Sequence, residues 1–186
     1  MTDRMKLKPV KFEKQLDYDC ETLECQKKKV LELLRLLDFP LTERPNVLRK
    51  GQTGYRGFVL GKIHTRGSAG RGVMLSLLTQ KPKYRELYLN AIKLMKDYDK
   101  NFKFTTIQFN KNQRAAKHKD ANNVGASYII GLGDYEGGEL IVYDINDKNP
   151  KKINIKNKFY KFDGSLFFHE TARFKGERYT LVFFKN

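Results

Sequence analysis

Apolar residues in "ETLECQKKKVLELLRLLDFP" (21–40) recur at Leu23, Val30, Leu33, Leu34 and Leu37. That is the spacing of one helical face, and Pro40 lies just past its end. The pattern returns in "KPKYRELYLNAIKLMKDYDK" (81–100), where Pro82 sits at the start. There Tyr84, Leu87, Tyr88, Ala91, Leu94, Met95 and Tyr98 form the stripe. Both stripes read as core-packing faces. Between the helices, residues 44–76 carry seven glycines from Gly51 to Gly72. So many glycines argue against a long regular element and leave a strand "GFVLGKIH" between two loops. After residue 102 the pattern changes to short alternating segments: "KFTTIQF", "ASYIIGLG", "GELIVYD", "KINIK", "KFYKFDG", "SLFFHE" and "RYTLVFF". Turn residues separate them, as in an all-β sandwich or barrel. The expected fold is α+β and a single domain. Residues 1–102 form a helical and loop part packed on a β-core at 103–186, and residues 1–20 a short strand or an arm.

Composition narrows the setting. With 186 residues, 40% of them hydrophobic, the chain is long enough for a real core. Its 13 Phe and 10 Tyr argue against disorder. The charge is lopsided, 37 basic against 21 acidic residues for a net +16. That favours an anionic partner such as nucleic acid, a membrane surface or an acidic protein. Two cysteines, Cys20 and Cys25, are too few for a disulfide scaffold and suit a reducing compartment. No apolar run is long enough to span a membrane, and "MTDRMKLKPVKF" has no apolar signal core. The expectation is a soluble intracellular monomer, nuclear in a eukaryote and cytoplasmic or viral otherwise.

One stretch does not fit a merely basic surface: "KHKDANNVGASYIIGLGDYEGGEL", residues 117–140. On a strand, side chains i and i+2 share a face. His118 and Asp120 then project together, while Lys117 and Lys119 project away. A third residue, His169, ends the apolar segment "SLFFHE", and antiparallel strands of a jelly roll can bring it close. Two histidines and one carboxylate form the facial set of non-haem Fe(II) sites, which leaves other coordination positions open. Zinc accepts the same ligands in hydrolases.

The choice between these metals comes from Arg178 and Thr180, which face the same way on the next strand. A guanidinium forks onto a carboxylate and a hydroxyl adds a third bond. An arginine inside a β-core also needs an anion to offset its desolvation. A dicarboxylate cosubstrate supplies one. Two other features carry less. His64 reads as a surface histidine of the strand "GFVLGKIH". "GSAGRG" lacks the ending and flanks of a phosphate loop.

His118-x-Asp120, His169 and Arg178-x-Thr180, in this order, resemble the 2-oxoglutarate/Fe(II)-dependent dioxygenase superfamily over residues 103–186. The resemblance implies a double-stranded β-helix (jelly roll) buttressed by helices. It also implies Fe(II) on His118, Asp120 and His169, and 2-oxoglutarate anchored by Arg178 and Thr180, with Gln108 and Asn110, on one face of "TTIQFNKN", as candidates for its keto-acid end. The same resemblance implies O2 as the oxidant and ascorbate as the reductant. Thr180 stands where the family usually has serine, which keeps the hydroxyl. Within the superfamily, "HKDANN…G…GLGDYEGGEL…H…F.GERYTLVFF" looks most like the TET/JBP branch, which oxidises methyl groups on nucleobases. In that branch an asparagine three residues after the metal aspartate helps read the base, and here it is Asn123. An amide offers a base edge both a donor and an acceptor. The large insertions and cysteine-rich part of the animal members are absent.

The charge agrees with nucleic acid as partner, DNA rather than RNA. An enzyme that flips a base out must hold the backbone, and lysine and arginine do so through phosphates. Arg114, Lys117 and Lys119 precede the proposed mouth and Arg173 and Lys175 follow His169. Arg66, Arg71 and "DKNPKKINIKNK" add to them. Two other readings stand beside this one: a prolyl or lysyl hydroxylase of the same superfamily, and a nucleic-acid-binding jelly roll that no longer catalyses.

Overall fold

Helix α1 (Leu23–Leu36) starts where the Thr22 hydroxyl accepts the Cys25 backbone N–H at 3.2 Å, a capping bond that replaces a missing helical partner. The computed structural model describes residues 20–67, 70–121 and 123–186, so the expected arm at 1–20 lies outside it except for Cys20. Val30, Leu33 and Leu34 of α1 are buried. They meet Leu87, Ala91, Leu94 and Met95 of α3 (Pro82–Tyr98), which starts at Pro82 as expected. A one-turn helix α2 (Leu77–Gln80) leads into α3. Tyr98, counted in the stripe, is mostly exposed and stacks at the helix end on Phe159. Cys20 and Cys25 are bonded to each other, which goes against the reducing compartment expected from their small number. One link across so short a loop is still no scaffold.

The strands are β1 (Leu41–Thr42), β2 (Tyr55–Gly67), β3 (Gly70–Leu75), β4 (Thr106–Lys111), β5 (Ser127–Leu132), β6 (Tyr135–Gly137), β7 (Leu140–Val142), β8 (Lys151–Ile153), β9 (Tyr160–Phe162), β10 (His169–Thr171), β11 (Phe174–Gly176) and β12 (Tyr179–Phe184). The major sheet runs β1-β2-β4-β12-β5-β9, with β3 paired to β2, and every pairing between these strands is antiparallel. A second sheet, β10-β7-β8, is also antiparallel, and β6 and β11 pair separately.

Two expectations change. The glycines did not break the chain: β2 is 13 residues long. Gly57 and Gly61 instead let neighbouring backbone come close, since a Cβ there would lie 2.8 Å from the Phe109 carbonyl oxygen and 2.4 Å from that of Thr105. Because β2 pairs with β4, strands from the first 102 residues also belong to the main sheet, which is not purely a continuation after the helices.

Period-two alternation decides which face serves which purpose. Ile107 and Phe109 of β4, Tyr128, Ile130 and Leu132 of β5, and Tyr179, Leu181 and Phe183 of β12 join the helices in one buried cluster. Burying one such side chain contributes about 1.5–3 kcal/mol. The intervening residues Thr106, Gln108, Asn110, Ile129, Thr180 and Val182 line a cavity on the opposite face. The helices thus rigidify the sheet from behind and leave its inner face free for polar groups.

Candidate metal centre and anion pocket

His118 and His169 face each other as a cross-strand pair. Each backbone N–H donates to the other's carbonyl at 3.0 Å. The expected strand through His118 and Asp120 is only this isolated bridge, and Asp120 then donates its N–H to Gly164 O at 2.8 Å. His169 opens β10 instead of ending a strand, because residues 163–168 turn around the Asp163 carboxylate. The shared face survives both changes, since directly opposed residues project to the same side of a ladder.

His118 Nε2 and His169 Nε2 lie 3.6 and 3.7 Å from the two Asp120 oxygens. All three side chains are buried. Their tautomers follow from their partners. His118 Nδ1 sits 2.7 Å from Ala116 O and His169 Nδ1 3.0 Å from Phe167 O. A carbonyl only accepts, so each Nδ1 carries a proton and each Nε2 is the atom turned towards Asp120 and available to a metal, the outer-shell arrangement of metal-binding histidines. Burial and the neighbouring His118 push the His169 imidazole below its ordinary pKa, which favours the neutral ring that a ligand needs. Burial alone would raise the Asp120 carboxyl. The imidazoles of His118 and His169 and the guanidinium of Arg44 outweigh it and bring it down to about 2. A charged carboxylate and two imidazoles whose Nε2 atoms face it form a donor set for a divalent ion.

Several supports carried no signal in the sequence. Arg44 Nη2 reaches Asp120 Oδ1 at 3.0 Å. Gly164 faces the same carboxylate, where a Cβ would lie 2.7 Å from Oδ2. Arg49 spans the site's back, donating to Ala115 O at 3.1 Å, Thr171 O at 3.1 Å and Glu170 Oε2 at 2.8 Å. It ties the segment that leads into His118 to the strand that carries His169.

The cavity, about 380 Å³, is lined from both sheets and joins this triad to Arg178 and Thr180. Arg178 is 3% exposed. It immediately precedes β12, and β11 stands between it and β10, so it is not on the strand next after His169. Its guanidinium donates to Gln113 O at 3.3 Å and Gly138 O at 3.0 Å, while Nε has no partner. Among the described residues no carboxylate hydrogen-bonds it. Burial lowers its pKa, yet a guanidinium stays charged in proteins. Gly138 makes room for it, since a Cβ there would meet Nε at 2.8 Å. Gly138 thus supplies both an accepting carbonyl and the space beside this guanidinium.

Gln108 Nε2 donates to Asn110 Oδ1, and Asn110 Nδ2 to Thr180 Oγ1, both at 3.0 Å. Thr180 thus accepts from within the protein and keeps its O–H for a ligand. The structure brings Gln108 and Asn110 to the cavity in the expected alignment but spends much of their hydrogen bonding on this relay.

The predicted substrate residues fare differently. Asn123 lines the cavity, and its Nδ2 donates to Asp120 Oδ2 at 3.1 Å and Ser127 Oγ at 3.3 Å. Lys117 is ion-paired with Asp147 and lies 3.9 Å from the Tyr143 ring centre. Lys119 sits over Phe168 at 4.7 Å. Arg114 is half-buried, its Nε without a partner. His64 is exposed at the cavity rim. Arg66 and Arg71 lie on β2 and β3, with side chains outside the described part.

Neither a protein-family model nor a curated protein matches the chain. Solved structures do. An oxidoreductase of the 2OG-Fe(II) oxygenase family from Burkholderia pseudomallei aligns with TM-score 0.57 and 20% identity, over 84% of this chain and 76% of that one. NgTET1 in complex with 5mC DNA aligns with TM-score 0.53 and 11% identity, over 88% of this chain and 67% of that one. A prolyl hydroxylase from Trichoplax adhaerens, in complex with a hypoxia inducible factor peptide fragment, gives 0.53 and 12%, over 88% and 78%. The fold is therefore that of the 2-oxoglutarate/Fe(II) oxygenases, a mixed α/β architecture built on antiparallel sheets. No helix among the described residues is long and apolar enough to cross a membrane.

Proposed function

We propose that the chain is an Fe(II)- and 2-oxoglutarate-dependent dioxygenase that hydroxylates a methyl group on a nucleobase, 5-methylcytosine or thymine, in DNA. Its two main sheets read as the halves of a double-stranded β-helix. One observation carries the chemistry: a single cavity holds a His-Asp-His donor set at one end and, at the other, a buried arginine that has no carboxylate partner among the described residues. A small dicarboxylate that ligates the metal through its keto-acid end satisfies both. His118, Asp120 and His169 would hold Fe(II), and Arg178 and Thr180 the far carboxylate.

When bound, iron supplies the activation of O2 that couples oxidative decarboxylation of 2-oxoglutarate to hydroxylation. Overall, a methyl group, 2-oxoglutarate and O2 become a hydroxymethyl group, succinate and CO2. The chain orients the metal carboxylate through Arg44 and Asn123, fixes both imidazoles through backbone carbonyls and buries the anionic end away from water.

The net charge of +16 and the fold shared with a protein that binds 5mC DNA support nucleic acid as the substrate. The equal fold likeness to a prolyl hydroxylase keeps a peptide as the second reading. The test incubates the protein with Fe(II), ascorbate, 2-oxoglutarate and methylated or unmethylated DNAs and RNAs, then analyses nucleosides by mass spectrometry. A hydroxymethyl nucleoside formed in step with succinate is expected. Succinate formed only with peptides would transfer the substrate to protein.

A further inference from the structure

Arg178 Nε is not the only buried polar atom without a partner near the anion pocket. The Tyr135 hydroxyl, on a residue 3% exposed, is another among the described residues, and the polar group that acts on it is the Arg178 guanidinium itself. Buried polar groups are nearly always paired, so an orphan calls for a reason. The two residues are neighbours: the Arg178 guanidinium carbon lies 5.5 Å from the Tyr135 ring centre and 5.4 Å from that of Phe174.

The register shows where the hydroxyl points. Thr180 of β12 is directly opposite Gly131 of β5, so both positions face the cavity side of the sheet. A Cβ added to Gly131 would lie only 2.2 Å from the Tyr135 hydroxyl oxygen. That oxygen therefore occupies the place of a Gly131 side chain, beside Thr180. Tyr135 belongs to β6, outside the major sheet, and its hydroxyl enters through the gap that glycine leaves. Three donors belong to this neighbourhood: Arg178, whose guanidinium lies against the Tyr135 ring, the Thr180 O–H left free by the Asn110 bond, and the Tyr135 O–H. A carboxylate, which accepts through two oxygens, matches them.

We infer that Tyr135 is a third anchor for the far carboxylate of 2-oxoglutarate, its hydroxyl delivered from β6 into the space opened by Gly131. The inference rests on the cosubstrate reading above. It also explains why a protein would keep an unpaired buried hydroxyl: the partner arrives with the ligand.

The test titrates 2-oxoglutarate calorimetrically onto the full chain loaded with Mn(II), with O2 excluded. It compares the wild type with Tyr135→Phe, which keeps the ring against Arg178 and removes only the oxygen. 2-Oxobutyrate, with the same keto-acid end and no second carboxylate, is run in parallel. Loss of one hydrogen bond to a charged group should raise the Kd of 2-oxoglutarate about ten- to hundredfold. The Kd values of 2-oxobutyrate and Mn(II) should hold. The ligand-free melting temperature should stay level or rise, because a hydroxyl without a partner has been removed. A purely structural hydroxyl would lower it. Gly131→Ala, which pushes the hydroxyl aside while leaving the tyrosine in place, should reproduce the loss for 2-oxoglutarate. An unchanged Kd in Tyr135→Phe, or an equal loss for 2-oxobutyrate, would overturn the role of Tyr135. Failure of the wild type to bind 2-oxoglutarate would instead overturn the cosubstrate reading.

Discussion

Gly164 offers a direct way to disturb the proposed metal centre without touching a proposed ligand. It has no need of glycine for its backbone, because its φ is not in the left-handed region. What it supplies is space. In Gly164→Ala the new methyl would sit 2.7 Å from Asp120 Oδ2 and 3.2 Å from His169 Cε1. Relief requires a shift of roughly 0.5 Å, about the tolerance within which a functional site must hold its groups. Asp120 cannot yield freely, since Arg44 holds Oδ1 at 3.0 Å and Asn123 holds Oδ2 at 3.1 Å. Displacing a ligand to this degree should resemble other changes around a metal's ligands, which weaken affinity about ten- to hundredfold. The assay is a Mn(II) titration by calorimetry or electron paramagnetic resonance, with thermal melts at fixed Mn(II). At a concentration of about 100 times the wild-type Kd, the metal stabilises the fold by about 2.7 kcal/mol. A tenfold weaker variant keeps about 1.4 kcal/mol of that by the same relation. An affinity within about twofold of wild type, in a protein that melts normally without metal, would show that Asp120 is not a ligand, because outer-shell damage has a larger effect.

Other perturbations separate the remaining roles. Arg178→Lys keeps a charge but loses the planar fork that reaches Gln113 and Gly138. The KM for 2-oxoglutarate should rise about tenfold or more while Mn(II) affinity holds, and an unchanged KM would place the anchor elsewhere. Asn123→Ala removes a donor to Asp120, so metal binding should weaken along with base oxidation. Loss of oxidation at full metal affinity would mark Asn123 as a reader of the base instead. Replacing Arg114, Lys117 and Lys119 together should flatten the salt dependence of DNA binding by about 0.9 for each phosphate contact removed. Lys117 already pairs with Asp147, so a change smaller than three contacts' worth is expected, and no change would remove these residues from the interface.

What could be read from the chain depended on how locally it was encoded. Helices α1 and α3 carry their apolar stripes and their stop or start signals within one segment, so both emerged near their observed bounds. The alternation likewise placed Gln108 with Asn110 and Arg178 with Thr180, while the pairing of β4 with β12 is what sets Asn110 opposite Thr180. The triad was legible because histidine is rare in this lysine-rich chain, although its geometry came from a cross-strand bridge and not from a continuous strand. The glycine-rich region was misread because a glycine marks either a turn or a close approach of backbone, and only tertiary contact shows which.

The residues that escaped notice share another property: each acts through a partner distant in sequence. Arg44 means nothing until Asp120 lies against it, Arg49 until it bridges to Thr171, and Tyr135 until Gly131 leaves a gap. None is a ligand by residue type or belongs to a spaced motif. They are the supports that hold a ligand or a donor to a fraction of an ångström, and a site's precision depends on such groups as much as on its ligands. The five motif residues thus propose the chemistry, while these supports govern how firmly the chain can hold what that chemistry needs. That is why the most informative perturbations here lie at Gly164 and Tyr135, where a single methyl or hydroxyl changes the support and leaves every ligand side chain in place.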